Sequence, residues 1–219
     1  MTGIIKKDVW YYVLCTALMG PFPLLLTFQD GMTAGTTALL AQGMLFTVLI
    51  AAMHTEVLEH ASRGYQFLKN LPLTDQEVVR AKHVLPLGVV GMYLFYGYAL
   101  LALFPVSERF FRLSRGYLVV VGNLSLLIVA VILYMVYRLG LLGLTKLAST
   151  VMSLAIGLLF IAGQFGGLRW ARQGLREEDL QRLAELASGL NLFLICCAGL
   201  ALFFGIMSAS VRAKASREV

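Results

Sequence analysis

The chain has 219 residues, of which 59% are hydrophobic and only 14% charged, against about 25% charged in an ordinary soluble domain. That composition excludes a water-soluble globule and points to an integral membrane protein, because only lipid solvates so much apolar surface. The formal net charge of +6 then reflects Lys and Arg gathered on cytoplasmic loops, not a nucleic-acid partner.

Six stretches have the length and apolarity of a membrane-crossing helix, which needs about 20 such residues. They cover residues 9–28, 31–53, 84–107, 116–137, 147–168 and 187–211. None shows the two-residue alternation of barrel strands, so the expected fold is all-α with six transmembrane helices in a single domain, 1–219. An N-terminus and C-terminus both inside put eleven Lys and Arg on the cytoplasmic side and seven outside, in the direction of the positive-inside rule. Lys6 and Lys7 before the first run resemble a signal peptide, but without a small-residue cleavage site the run reads as a retained helix.

In chain order, Ile4, Ile5, Val9 and Trp10 fall on one face opposite Lys6 and Lys7, as in a short helix on the inner membrane surface. Trp10, Tyr11 and Tyr12 form an interfacial anchor. Pro21 and Pro23 are expected to end or kink the outer part of span one, and Pro86 to do the same near the start of span three. Cys15, Cys196 and Cys197 lie in apolar runs without metal or redox spacing and read as small apolar filler. Gln42, Asn123, Gln164 and Asn191 are polar positions within spans, suited either to bonds with a neighbouring helix or to lining a path. His54, Glu56, Glu59 and His60 cluster at the inner end of span two without an H-E-x-x-H motif; an ion-pair role for Glu56 or Glu59 is favoured over metal binding.

Residues 56–83 are the longest polar segment on the inner side. Val57, Leu58, Ala61, Tyr65 and Leu68 share one face of an amphipathic helix. Asn70-Leu71-Pro72 breaks it. Thr74-Asp75-Gln76-Glu77 is a capping box that starts a second helix at about Asp75, feeding span three.

The order of an acidic residue after span two, Arg63-Gly64, Leu68, Leu71-Pro72-Leu73-Thr74, Glu77-Val78-Val79 and Lys82 resembles the ABC-2-type permeases, the transmembrane subunits of type-2 ABC transporters. In that family the stretch is the coupling helix between the second and third of six spans, and both termini are cytoplasmic. The resemblance implies a permease subunit, with Glu56, Glu59, Arg63, Gly64, Leu71, Pro72, Thr74, Asp75, Glu77, Arg80 and Lys82 as the expected ATPase-coupling residues. It implies a separate ABC ATPase subunit that carries ATP and Mg, a second permease copy as homodimer or a related permease as partner, and export across a bacterial cytoplasmic membrane. The chain itself contains no G-x-x-x-x-G-K-[ST] loop and so no nucleotide site of that kind; it is not expected to be an enzyme, to bind a cofactor or to hold a metal.

Residues 169–186 are the long polar segment on the outer side. In the family, short helices here dip into the membrane and help form the exit gate, which makes Arg176, Glu178 and Arg182 external gate candidates. Eight charges in this stretch are costly to bury in lipid and favour a helix pair at or beyond the interface. A stand-alone six-span channel, secondary carrier or scaffold is the alternative the residues leave open. The cargo is not written in the sequence.

Overall fold

The computed structural model describes residues 2–61, 74–104, 106–161 and 189–215, and these form helices throughout. They are α1 (Thr2–Met19), α2 (Pro21–Asp30), α3 (Ala34–Ala61), α4 (Asp75–Leu103), α5 (Glu108–Ile161) and α6 (Gly189–Ala215). Five segments among the described residues have the length and apolarity to cross a membrane: Asp8–Gln29, Gly35–Val57, Asp75–Leu103, Glu108–Gly140 and Gly189–Ala215. The predicted fifth span, 147–168, starts inside the helical residues that follow Gly140, and its outer part lies outside the described residues.

The first crossing is interrupted where its prolines stand. α1 stops at Met19 and α2 restarts at Pro21, whose missing N–H is harmless in a first turn. The two helices meet at Gly20, whose own dihedrals stay helical at φ −66° and ψ −39°. The Tyr96 hydroxyl of α4 donates to the Gly20 carbonyl at this break, at 3.1 Å. At its inner end α1 runs unbroken from Thr2 into the span; the separate surface helix expected from Ile4 to Trp10 is not a distinct element. Gly31 then turns the chain at φ 74°, a value that favours glycine. Thr33 opens α3, its hydroxyl accepting from the Thr36 amide at 3.2 Å while its own amide donates to the Thr36 hydroxyl at 2.8 Å.

Pro86 departs from expectation. α4 continues through it from Asp75 to Leu103. A proline removes one main-chain bond, here the one to the Lys82 carbonyl, and in a membrane helix the neighbouring helices carry that loss. Pro86 is buried against such neighbours. The genuine break comes later, inside α5, where Gly140 adopts φ 74° and ψ 167°.

α3 is the most enclosed crossing, with Leu40, Met44, Val48 and Ala51 buried on one face. Around it pack Val79, Val90, Tyr93 and Leu100 of α4 and Leu118, Val129 and Leu133 of α5. Hydroxyls tie the bundle where lipid offers no alternative partner. Thr47 and Tyr93 join α3 to α4 at 2.9 Å, and Thr37 donates to Ser114 of α5 at 3.3 Å. α5 and α6 approach closely at Gly199, where an added Cβ would collide with the Asn123 side chain. The Asn123 amide donates to the Val119 carbonyl at 2.9 Å and reaches Cys196 Sγ at 3.7 Å, so this in-span polar group bonds within the bundle.

Candidate functional site

At the end of the bundle where α3 finishes and α4 begins, three charged side chains from three helices meet. Lys82 Nζ of α4 lies 2.8 Å from Asp8 Oδ2 of α1 and 3.4 Å from Glu56 Oε1 of α3. Their side chains are only 1–3% exposed. Two carboxylates around one ammonium is an arrangement that a low-dielectric site tolerates only when the charges are held together. Tyr12, one helical turn beyond Asp8, is buried beside them. His83 is fully buried too; its Nδ1 lies 2.8 Å from the Val79 carbonyl, so Nδ1 is the protonated nitrogen, and its ring meets Phe203 of α6 edge-on at 5.7 Å.

A second ion pair links the same region to the C-terminal helix. Lys214 Nζ of α6 lies 3.2 Å from Asp75 Oδ1, at the first turn of α4. The start of α4 is thus bonded to α1, α3 and α6 at once. These contacts also put the N-terminal end of the chain, the end of α3, the start of α4 and the end of α6 at one end of the bundle.

The capping box expected at this start is formed in full. The Thr74 hydroxyl accepts from the Glu77 amide at 3.3 Å, and Glu77 Oε2 accepts from the Thr74 amide at 2.9 Å. The amide bond first, and the hydroxyl second, hold the Glu77 carboxyl below its ordinary value. Thr74, Gln76 and Arg80 are exposed, whereas Val78, Val79, Ala81 and Lys82 are buried. One face of this first stretch of helix is therefore open and the other is locked into the bundle.

The sequence-expected residues divide accordingly. Thr74, Glu77 and Arg80 stand on or beside the open face. Asp75, partly exposed, is paired with Lys214, and Glu56 and Lys82 face inward. Glu59 lies in α3, but its side chain is outside the description. Arg63, Gly64, Leu71, Pro72, Arg176, Glu178 and Arg182 lie outside the described residues. Of the suspected cluster at the inner end of α3, Glu56 turns inward while His54 is exposed, its ring 5.1 Å from Tyr11, and the side chains of Glu59 and His60 lie outside the described residues. Among the described residues no three His, Cys, Asp or Glu side chains gather as metal ligands. Asp8 is the residue sequence reasoning passed over; its signal is a lone acid at the mouth of an apolar helix that otherwise carries two lysines there.

The sequence model of the ABC-2 family transporter proteins matches residues 3–214, nearly the whole chain. The chain belongs to the ABC-2 transporter family. No curated protein and no solved structure matches it significantly. Membership in the ABC-2 family makes it a multi-pass membrane protein of the ABC transporter type, a family that in general implies an ABC ATPase partner.

Proposed function

We propose that this ABC-2 protein is the permease subunit of an exporter in a bacterial cytoplasmic membrane, and that an ABC ATPase subunit grips residues 74–80 from the cytoplasm. The observation that carries this reading is the two-faced start of α4. Its open face offers Thr74, Gln76 and Arg80, and two residues beyond Arg80 the buried Lys82 is bonded to α1 and α3. A push on the open face is delivered to three other helices through short charge contacts and not through a slack loop. Binding of ATP and Mg by the partner would supply the differential affinity that drives the helices between two arrangements.

A six-span, single-domain arrangement is supported by chain direction. α5 runs from the Thr37–Ser114 end of the bundle toward the end that holds Lys82, while α6 finishes at that same end with Lys214 on Asp75. This supports the inference that the chain recrosses the bundle between Gly140 and Gly189. Helix 141–161 alone, at 1.5 Å per residue, covers about 30 Å, the thickness of the hydrocarbon core. An even number of crossings leaves both termini on the side that holds residues 74–80. A single unit of this kind works as a pair, a homodimer or a pairing with a related permease.

The test is retention of the ATPase. Gln76→Ala with Arg80→Glu alters only exposed side chains, so the chain is expected to reach the membrane in normal amount yet to lose at least tenfold in co-purified ATPase and in transport-stimulated ATP hydrolysis. Undiminished ATPase binding by this double variant would favour a stand-alone channel or carrier.

A further inference from the structure

Among the described residues, the exposed side chains along the middle of the crossings are mostly apolar, and charged or polar ones such as Gln76, Arg80, Arg112 and Arg138 stand near the ends. On α4, Met92, Phe95 and Leu103 face outward, and on α6 Leu190, Phe193, Leu194 and Leu202 do so. Ser208 on α6 is exposed and polar, but its hydroxyl donates to the Phe204 carbonyl at 2.9 Å. α3 is different. Gln42, Phe46, Ile50 and His54 form an outward ridge at four-residue spacing, with Phe46 50% and Ile50 49% exposed. His54 packs its ring on Tyr11 near the inner end. Gln42 is exposed and makes no hydrogen bond among the described residues.

Gln42 is also deep. It stands seven residues into the crossing Gly35–Val57, about 10 Å along the axis from its outer end at 1.5 Å per residue. A glutamine side chain is too short to reach interfacial water from there. Its carbonyl and its two N–H groups are satisfied there by a protein partner within the bilayer or by water along a path.

We propose that the Gln42–Phe46–Ile50 ridge of α3 is the seam on which two copies of this chain pair. The carboxamide is both donor and acceptor, so two copies related by a two-fold axis satisfy each other with a reciprocal pair of N–H···O bonds. The ridge carries no formal charge around Gln42 that a two-fold axis would set against itself. Rows at four-residue spacing interdigitate when two helices cross. This inference rests on the reading of the protein as a paired permease, but not on which surface the ATPase grips.

The experiment is oxidative cross-linking in native membranes, in a background of Cys15→Ala, Cys196→Ala and Cys197→Ala. Gln42→Cys and Phe46→Cys are expected to give a disulfide dimer of twice the chain mass. Phe95→Cys and Phe193→Cys, on the apolar outward faces, are expected to stay monomeric. Equal cross-linking at Phe95→Cys, a product with a different protein, or modification of Gln42→Cys by a water-soluble maleimide without dimer formation would each overturn the seam. Should the cysteine-free background fold poorly, two-colour single-molecule counting in bilayers uses the native cysteines. There Gln42→Leu is expected to weaken pairing about threefold to tenfold, the scale of one or two interhelical bonds in lipid, with Gln42→Asn intermediate and Phe95→Leu unchanged. An unchanged dimer fraction in Gln42→Leu overturns the proposal. Loss of the seam with retention of the co-purified ATPase refutes this inference alone and leaves the permease reading standing.

Discussion

Lys82 holds two carboxylates that arrive from helices far apart in the chain, Asp8 and Glu56. Removing one member of a buried ion cluster leaves the others uncompensated, which costs about 3–5 kcal/mol, whereas replacing all members with neutral groups of similar size is often nearly neutral. Lys82→Ala is therefore expected to lower unfolding stability in detergent by about that much. The triple variant Asp8→Asn, Glu56→Gln and Lys82→Met is expected to recover most of it, yet to transport poorly, because the neutral contacts no longer bind the start of α4 to α1 and α3. A loss below about 1 kcal/mol for Lys82→Ala would mean the cluster is not a joint. Glu56 and Lys82 were legible in the sequence through their place around the coupling segment. Asp8 was not, since the contact joins residues 74 positions apart and no local spacing encodes such a meeting.

At the scale of elements, the inner start of α4 was the most legible part of the protein. Thr74-Asp75-Gln76-Glu77 specifies its own helix start through local bonds alone, and the structure forms those bonds as written. The prolines illustrate the limit of local reasoning. Pro21 and Pro23 interrupt a helix, whereas Pro86 sits inside one. The difference is tertiary: Pro86 is buried among α4's neighbours, and packing there outweighs one missing bond. Thr74→Ala is expected to cost the helix start about 1 kcal/mol and to raise hydrogen exchange of the first amides of α4. Because the folded Glu77 carboxyl titrates below its ordinary value, the cap contributes fully above about pH 4.3, the unperturbed glutamate value, and its contribution is lost as pH falls through the lower folded value. Exchange protection at Glu77 and Val78, corrected for intrinsic rates, is expected to drop on acidification in the natural chain and to show no such step in Glu77→Gln. A step of equal size in both would assign the pH response elsewhere.

At the scale of the molecule, membrane residence and the helical class followed from composition, and the family from a stretch of about 28 residues whose resemblance the match over residues 3–214 bears out. What composition did not encode is which crossings lie inside and which face lipid. α3 and α6 are both apolar along their length, yet α3 is largely enclosed and α6 largely open, because enclosure depends on where the chain returns and not on hydropathy. The account stands on the start of α4 being a cytoplasmic lever held by another protein. Gln76→Cys, labelled from one side of the membrane at a time in oriented vesicles, tests this directly. The account predicts reaction with an impermeant maleimide only from the cytoplasmic side, and protection when the ATPase is present; reaction from the outer side would contradict it.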